Sequence, residues 1–331
     1  MIDDSKALRL GTRASALARW QAEWVAARLR ERGVAVNLVP ITTRGDQHQA
    51  AIRSIGGEGV FTKELERALL DGRIDLAVHS LKDLPTSVTA GLVLAAVPER
   101  APAADALVCR EDASGKGDSP IFGSPLRVEA RKSGQSPLFR LPVGASVGTG
   151  SLRRRAQLLG ARPDLHMKDV RGNVETRLRK LEQGDFDALI LAEAGLQRLG
   201  LAARIAERLP FTLMLPAVGQ GALALETRGD DTATRRIAAA LDYPSTHAAV
   251  LAERAMLARL QGGCLAPVAG LGLVEEGRLT LIGRVLSQDG ARRLEARQTA
   301  PTSQAEPLGL EVAEALLAQG AGELVRALRG A

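Results

Sequence analysis

Short apolar runs alternate with stretches in which apolar residues recur every three or four positions, and the alternation begins near the start of the chain. Leu8-Arg9-Leu10 reads as a strand. Ser15 stands where a helix N-cap belongs, ahead of Leu17, Trp20, Trp24 or Val25, and Leu29 near one face. Gly33 is the stop, so a helix is predicted over 15–32. A strand over 34–41, a helix over 62–70 closed by Gly72, and a short apolar strand over 74–78 follow. That last run has the composition of a strand buried on both faces of a parallel sheet. The pattern restarts near Asp105 with a strand at 106–108, helices at 152–159 and 173–181, and a buried strand at 187–191. Strand and helix in alternation predict an α/β unit, and here there are two. Between the last helix and the buried strand of the second unit, Gly184 serves as a stop.

The character changes after a hinge-like segment, Leu215-Pro216-Ala217-Val218-Gly219-Gln220-Gly221, and a strand at 222–226. A long helix over 245–260 runs into Gly262-Gly263-Cys264. Alternating strands at 268–274, 278–285 and 293–299 come next, with turns at Glu276-Gly277 and Gln288-Asp289-Gly290, and then a helix over about 303–317. The expected architecture is two α/β lobes facing a cleft, plus a small α+β module with a three-stranded antiparallel sheet. The stretch 112–141 is rich in Ser, Gly, Pro and basic residues and has no period, so it is expected to be a loosely ordered insertion.

Arginines cluster where strands give way to helices: Thr12-Arg13-Ala14-Ser15, Thr43-Arg44-Gly45-Asp46, Ser151-Leu152-Arg153-Arg154, and Arg171-Gly172-Asn173 with Arg177 one turn on. A helix N-terminus already favours an anion, and a guanidinium beside it adds a forked grip on carboxylate or phosphate. In open α/β sheets, ligands bind beyond the carboxyl ends of strands, which is where these corners fall. Repeated corners imply a ligand with several anionic groups. The net charge of +6 agrees with an anionic partner. A nucleic acid is disfavoured, because basic residues are scattered and only five Phe, two Trp and one Tyr are available for stacking. No apolar run approaches a membrane span, no signal peptide is expected, and no zinc-type Cys/His spacing or nucleotide-binding glycine motif occurs.

His79-Ser80-Leu81-Lys82-Asp83-Leu84-Pro85 follows the buried strand. It places Lys82 and Asp83 together at a strand end, an acid/base or ion-clamp position, or else a solvated turn. His79 reads better as a hydrogen-bonded core or rim residue than as a catalyst. Cys264, after two glycines, is a presented thiol: a nucleophile, a redox sensor or an attachment point. Cys109, ending an apolar strand, reads as inert. A two-lobed anion-binding protein without catalysis also fits the arginines, but it needs neither Asp83 nor a presented thiol.

These corners stand with Phe61-x-Lys63-Glu64-Leu65-Glu66, His79-Ser80-x-Lys82-Asp83-x-Pro85, Gly148-Thr149-x-Ser151, Thr176-Arg177, the hinge and Gly262-Gly263-Cys264 in a fixed order. That order resembles the hydroxymethylbilane synthase (porphobilinogen deaminase) family from about Leu8 to the C-terminal helix. The resemblance implies two lobes of the type II periplasmic-binding-protein kind and a C-terminal cofactor-attachment domain. Residues 1–101 with 222–241 would form lobe 1, 102–221 lobe 2, and 242–331 the third domain. It implies a cytoplasmic, monomeric enzyme of tetrapyrrole biosynthesis that joins four porphobilinogen molecules, with loss of ammonia, on a dipyrromethane held as a thioether by Cys264. No metal, nucleotide, nucleic acid or membrane is implied. By the same resemblance Asp83 is the catalytic carboxylate. Lys82, Ser151, Arg153, Arg154, Asn173 and Arg177 hold the cofactor, while Arg13, Ser15, Arg171, Arg177 and Arg198 hold substrate. Two departures stand out: Gly150 replaces a common serine, and Glu58 stands in a Gly-rich loop where lysine is frequent.

Overall fold

The computed structural model describes residues 7–41, 62–110, 136–262 and 266–327. The first sheet contains β1 (Leu8–Thr12), β2 (Val36–Pro40), β3 (Leu76–Ser80) and β4 (Leu92–Ala96). Its fifth strand, β10 (Leu223–Arg228), comes from far down the chain, and the order is β2-β1-β3-β10-β4. The second sheet contains β5 (Asp105–Cys109), β6 (Ser146–Gly148), β7 (His166–Lys168), β8 (Ala188–Ala192) and β9 (Glu207–Arg208), in the order β7-β6-β8-β5-β9. The two orders are the same pattern. Each lobe has three parallel strands, then one antiparallel strand supplied after the chain has crossed from the other lobe, then a fifth that runs with the first three. This exchange of strands is the type II periplasmic-binding-protein arrangement. β3 is buried on both faces as expected, and of its two neighbours β1 runs parallel to it and β10 antiparallel.

Helix α1 (Ala16–Arg30) forms as its sequence predicts. Ser15 Oγ accepts the Ala18 N–H at 3.4 Å, Ala22, Val25, Ala26 and Leu29 form the buried stripe, and Gly33 ends the turn at φ +81°. Trp20 lies outside that stripe, at the surface. Helix α2 (Lys63–Leu70) covers the first sheet with Leu65, Ala68 and Leu69. In the second lobe, α3 (Leu152–Ala161), α4 (Val174–Glu182) and the short α5 (Glu193–Arg198) each follow a strand end. Strand β6 was hidden by the glycines around it. Gly148 must lack a side chain, because a Cβ there would press on Leu189 and on the Phe186 ring.

The two crossovers run side by side. Ala101 N–H donates to Gly221 O at 3.2 Å, and Gln220 Nε2 to Ala103 O at 2.7 Å. After α6 (Thr232–Ala239), α7 (Pro244–Arg259) leads to the third unit. There β11 (Val268–Glu275), β12 (Arg278–Leu286) and β13 (Arg293–Pro301) form the expected antiparallel sheet. The β11–β12 turn, Glu276-Gly277, has both residues at positive φ, as a type I′ hairpin requires. Helices α7 and α8 (Ala305–Ala318) pack on one face around Met256, Leu279, Leu281, Val312 and Leu316, and α9 (Ala321–Arg326) closes the end.

The end of the expected insertion is ordered, not loose. Residues 136–141 pack Leu138 and Leu141 into the second lobe, and Glu207 accepts from Ser136 Oγ and Leu138 N–H at 2.6 and 2.9 Å. The remainder of the 112–141 stretch lies outside the described residues, as do Thr43-Arg44-Gly45-Asp46, the loop with Glu58, and Cys264.

Candidate active site

Strand β3 carries His79 and Ser80 to the edge of lobe 1. His79 is buried and its Nε2 lies 3.0 Å from Glu226 Oε2 of β10, so it is the hydrogen-bonded core residue expected. Ser80 Oγ accepts from Gln21 Nε2 at 2.8 Å. The chain then makes one 3-10 turn, Leu81–Asp83. Leu81 is the buried anchor, its N–H bonded to Ala222 O at 3.1 Å. Gly219, at φ +71°, lies against Leu81 and the Lys82 N–H too closely for a side chain. Beyond the turn, Arg254 of α7 donates to the carbonyls of Leu84 and Pro85 at 3.1 and 2.7 Å. Everything around this turn is fixed, and Asp83 is left exposed at its tip with Lys82 half-buried beside it. Burial pushes the Lys82 ammonium down to about 8. Arg154 and Arg153 push the same way, and Asp83 and Asp105 oppose them.

From the second lobe, β6 ends in Thr149-Gly150-Ser151. Ser151 caps α3, accepting the Arg154 N–H at 3.4 Å. A Cβ on Gly150 would sit 3.0 Å from Val170 O, so this turn packs backbone against backbone at the serine-to-glycine departure. Arg153 and Arg154 point inward, both buried, and meet the fully buried carboxylate of Asp105 at the head of β5. Arg153 Nη1 bonds Asp105 Oδ2 and Leu215 O, each at 2.7 Å. Arg154 Nη2 and Nε lie 2.7 and 2.9 Å from Asp105 Oδ1, and Nη1 bonds Ile190 O at 3.1 Å. Gln220 Nε2 adds a bond to Asp105 Oδ1 at 2.9 Å. Despite burial, which raises it, the two guanidiniums hold the Asp105 carboxyl well below the usual carboxylate range.

Arg177, one turn into α4, donates Nε to Gly172 O at 2.8 Å. Burial first and then Arg154 push its guanidinium down to about 10, with Asp83 opposing. Lys82, Asp83, Arg154 and Arg177 therefore share one electrostatic neighbourhood, although they come from different lobes. Arg198, ending α5, donates Nη2 to Gly221 O at 2.7 Å and stands 5.7 Å over the ring of Trp20 from α1. Burial alone pushes it down to about 10. Arg13 and Arg171 are half-buried at corners of lobe 1 and lobe 2. Ser15 and Asn173 serve as helix caps, and the Asn173 Oδ1 accepts the Thr176 N–H at 2.8 Å. Asp105 and Gln220 were not singled out as site residues from sequence. The one available sign was a carboxylate leading an otherwise apolar strand.

Around the exposed Asp83 and the buried Asp105 stand Lys82, Arg153, Arg154 and Arg177, an excess of positive charge. Arg153 Nε and Arg198 Nε are buried without a partner among the described residues, so the donor set fits a ligand bearing several carboxylates. Among the described residues no group of three or more His, Cys, Asp or Glu could hold a metal ion.

Comparison with known proteins places this chain in a family. Residues 8–236 match the family model "Porphobilinogen deaminase, dipyromethane cofactor binding domain", and residues 247–318 match "Porphobilinogen deaminase, C-terminal domain". A porphobilinogen deaminase of Syntrophotalea carbinolica is 48% identical, over 98% of this chain and 96% of its own length. One from Geobacter metallireducens is 46% identical, over 97% and 94% respectively. Among solved structures, a periplasmic substrate-binding protein of an ABC transporter from Coxiella burnetii aligns with 72% of this chain and 94% of its own, at 16% identity and a TM-score of 0.41. With family matches over both the lobes and the C-terminal unit, this chain belongs to the porphobilinogen deaminase family.

Proposed function

We propose that the cleft bordered by the Lys82–Asp83 turn, the Arg153–Arg154 pair, Arg177 and Arg198 is where this chain performs hydroxymethylbilane synthesis. That reaction is the deaminative joining of four porphobilinogen molecules, followed by hydrolysis to a linear tetrapyrrole. The observation that carries the assignment of residues is an exposed carboxylate, Asp83, held on a rigid strand-end turn inside a field of buried cations.

Each porphobilinogen brings an acetate and a propionate. Arg13, Ser15, Arg171, Arg177 and Arg198 hold substrate carboxylates in this reading. Lys82, Ser151, Arg153, Arg154, Asn173 and Arg177 hold the dipyrromethane. That group, joined as a thioether to Cys264, supplies the pyrrole end from which the product grows. A charge-assisted hydrogen bond contributes roughly 1.5–3 kcal/mol net, so a few retain a chain between additions. Asp83 faces the reacting carbon. Loss of ammonia from a substrate leaves a methylene-pyrrole cation, and an ionised carboxylate close by lowers the energy of that charge. The same carboxylate accepts from pyrrole N–H groups and relays the proton between the leaving amine and the coupling carbon. The rigid packing of Leu81, Gly219 and Arg254 holds it for that role without reorganisation. With a value of about 8, Lys82 is mostly an ammonium at neutral pH and can pair with a ligand carboxylate.

The division of the chain belongs to the same proposal: lobes 1–101 with 222–241 and 102–221, and a cofactor-attachment unit 242–331. So does a cytoplasmic monomer. Among the described residues no helix is long and apolar enough to cross a membrane, and the exposed large apolar residues are spread over the surface. Asp83→Asn tests the mechanism. It should keep the wild-type fold and cofactor while kcat falls at least a hundredfold, read as ammonia release from porphobilinogen. Turnover within threefold of wild type would remove Asp83 from the chemistry.

A further inference from the structure

Arg284 of β12 is a guanidinium at 2% exposure, on the sheet face that carries Thr280 and Ile282 and opposite the Leu279, Leu281 and Val285 core. A buried guanidinium is tolerated only where its N–H groups find acceptors, and of this one's acceptors Glu295 lies in its own sheet while the others lie outside it. Nε donates to Glu295 Oε2 of β13 at 2.7 Å. Nη1 donates to Gln157 Oε1 of α3 at 2.6 Å, and Nη2 to Thr212 O at 3.2 Å. Gln157 stands one turn after Arg153 on α3. Its Oε1 also accepts the Leu215 N–H at 2.9 Å, and its Nε2 donates to Leu215 O at 3.0 Å. That Leu215 carbonyl is the one that receives Arg153 Nη1. Leu215 is thus held at both its N–H and its C=O by one amide, which is itself fixed by Arg284. A second anchor lies alongside. Gly290, in the turn after β12 at φ +74°, rests on Ala156 O and the Gly160 backbone of α3 with no room for a Cβ.

We propose that Arg284 is a positioning residue for the carboxylate grip: through Gln157 and the Leu215 carbonyl it fixes the Arg153 guanidinium from the third unit. The proposal rests on the reading of Arg153 as a residue that holds the dipyrromethane carboxylates, and so the pyrrole end against which each porphobilinogen binds. Arg153 Nη1 has two acceptors, Asp105 from the strand and Leu215 O from the crossover. With both in place the guanidinium cannot pivot, and its unpartnered Nε keeps one direction. With the Leu215 peptide free to tilt, Arg153 turns about Asp105 alone. Arg284 itself touches no reacting atom.

The test uses the full-length holoenzyme and the variants Arg284→Met, Arg284→Lys, Gln157→Leu and the double variant Arg284→Met/Gln157→Leu. Thermal unfolding, intact mass, porphobilinogen kinetics and hydrogen exchange at the Leu215 amide are measured for each. Arg284→Met should raise KM about tenfold with kcat within threefold and speed Leu215 exchange at least tenfold. Arg284→Lys, which keeps the charge without the fork, should recover part of both. Added to Gln157→Leu, Arg284→Met should change KM less than twofold, because both act through one peptide. If Arg284→Met does not fold, Arg284→Lys and Gln157→Leu carry the same KM and exchange readings. A melting-point drop with wild-type KM and wild-type Leu215 exchange would overturn the proposal and leave a structural role only. So would multiplying KM effects in the double variant. A wild type that does not turn over porphobilinogen would overturn the functional reading itself, and this proposal with it.

Discussion

Asp105→Asn removes one negative charge from a buried site that holds two guanidiniums. Asp105 is fully buried and Arg153 and Arg154 nearly so, with contacts of 2.7 Å from each to the carboxylate. At an effective dielectric constant of about 20, each pair at about 4 Å between charge centres is worth roughly 4 kcal/mol of Coulomb energy. Relief of the carboxylate's own desolvation offsets part of this. The carboxamide also turns an N–H₂ toward a guanidinium donor, leaving one arginine with only its backbone-carbonyl acceptor. Breaking a buried pair from one side costs about 3–5 kcal/mol. At about 2–4 °C per kcal/mol for a chain of this size, the melting temperature should fall by roughly 10 °C. The pH dependence should change too. The folded pKa of Asp105 is depressed, so its contribution is present above the ordinary value of 3.8 and is lost as pH falls below it. The variant lacks that acid-side loss. Thermal unfolding followed by circular dichroism between pH 3 and 8 reads both effects, pH values being chosen around the ordinary carboxylate range. A melting temperature at pH 7 within about 2 °C of wild type would refute the claim that Asp105 holds the two arginines.

Lys82 gives a second pH dependence, at the alkaline end. Its folded value of about 8 lies below 10.5, so the unfolded chain binds the proton more readily between those values, and stability should rise with pH across that window. The ammonium needed for carboxylate pairing is lost as pH rises through about 8, so kcat/KM should show an alkaline limb there; Lys82→Arg should move that limb upward, and an unmoved limb would detach it from Lys82. Gly148→Ala should cost about 1–3 kcal/mol through overlap with Leu189 and Phe186, read by chemical denaturation, and an unchanged midpoint would show that the contact relaxes freely.

Much of this was legible in sequence because strand ends and helix starts carry strong local signals. Ser15, Ser151 and Asn173 cap the helices that follow them, and Glu276-Gly277 makes the hairpin its residues demand. The Lys82–Asp83 turn was readable for the same reason: an apolar run ended, and charge followed at once. Long-range pairing was not readable. Local pattern restarted a unit at β5, and only the family resemblance returned 222–241 to the first lobe; neither told which strands these two pair with or in which direction. The antiparallel strand of each lobe, the crossover pair, and with them the convergence of Arg153, Arg154 and Gln220 on Asp105 therefore stayed hidden. Short strands escaped for lack of period, as β6 did among its glycines and β9 with two residues. Arg284 looked like an ordinary strand arginine, because its partners lie on α3 and in the 211–213 segment.

The most direct test of the account is the intact mass of the purified wild-type chain beside its Cys264→Ala variant, before and after incubation with porphobilinogen. The account predicts a wild-type mass exceeding the sequence by two linked pyrrole units, further increments with substrate, and neither in the variant. A wild-type chain at its bare sequence mass that stays there after incubation with porphobilinogen would contradict it.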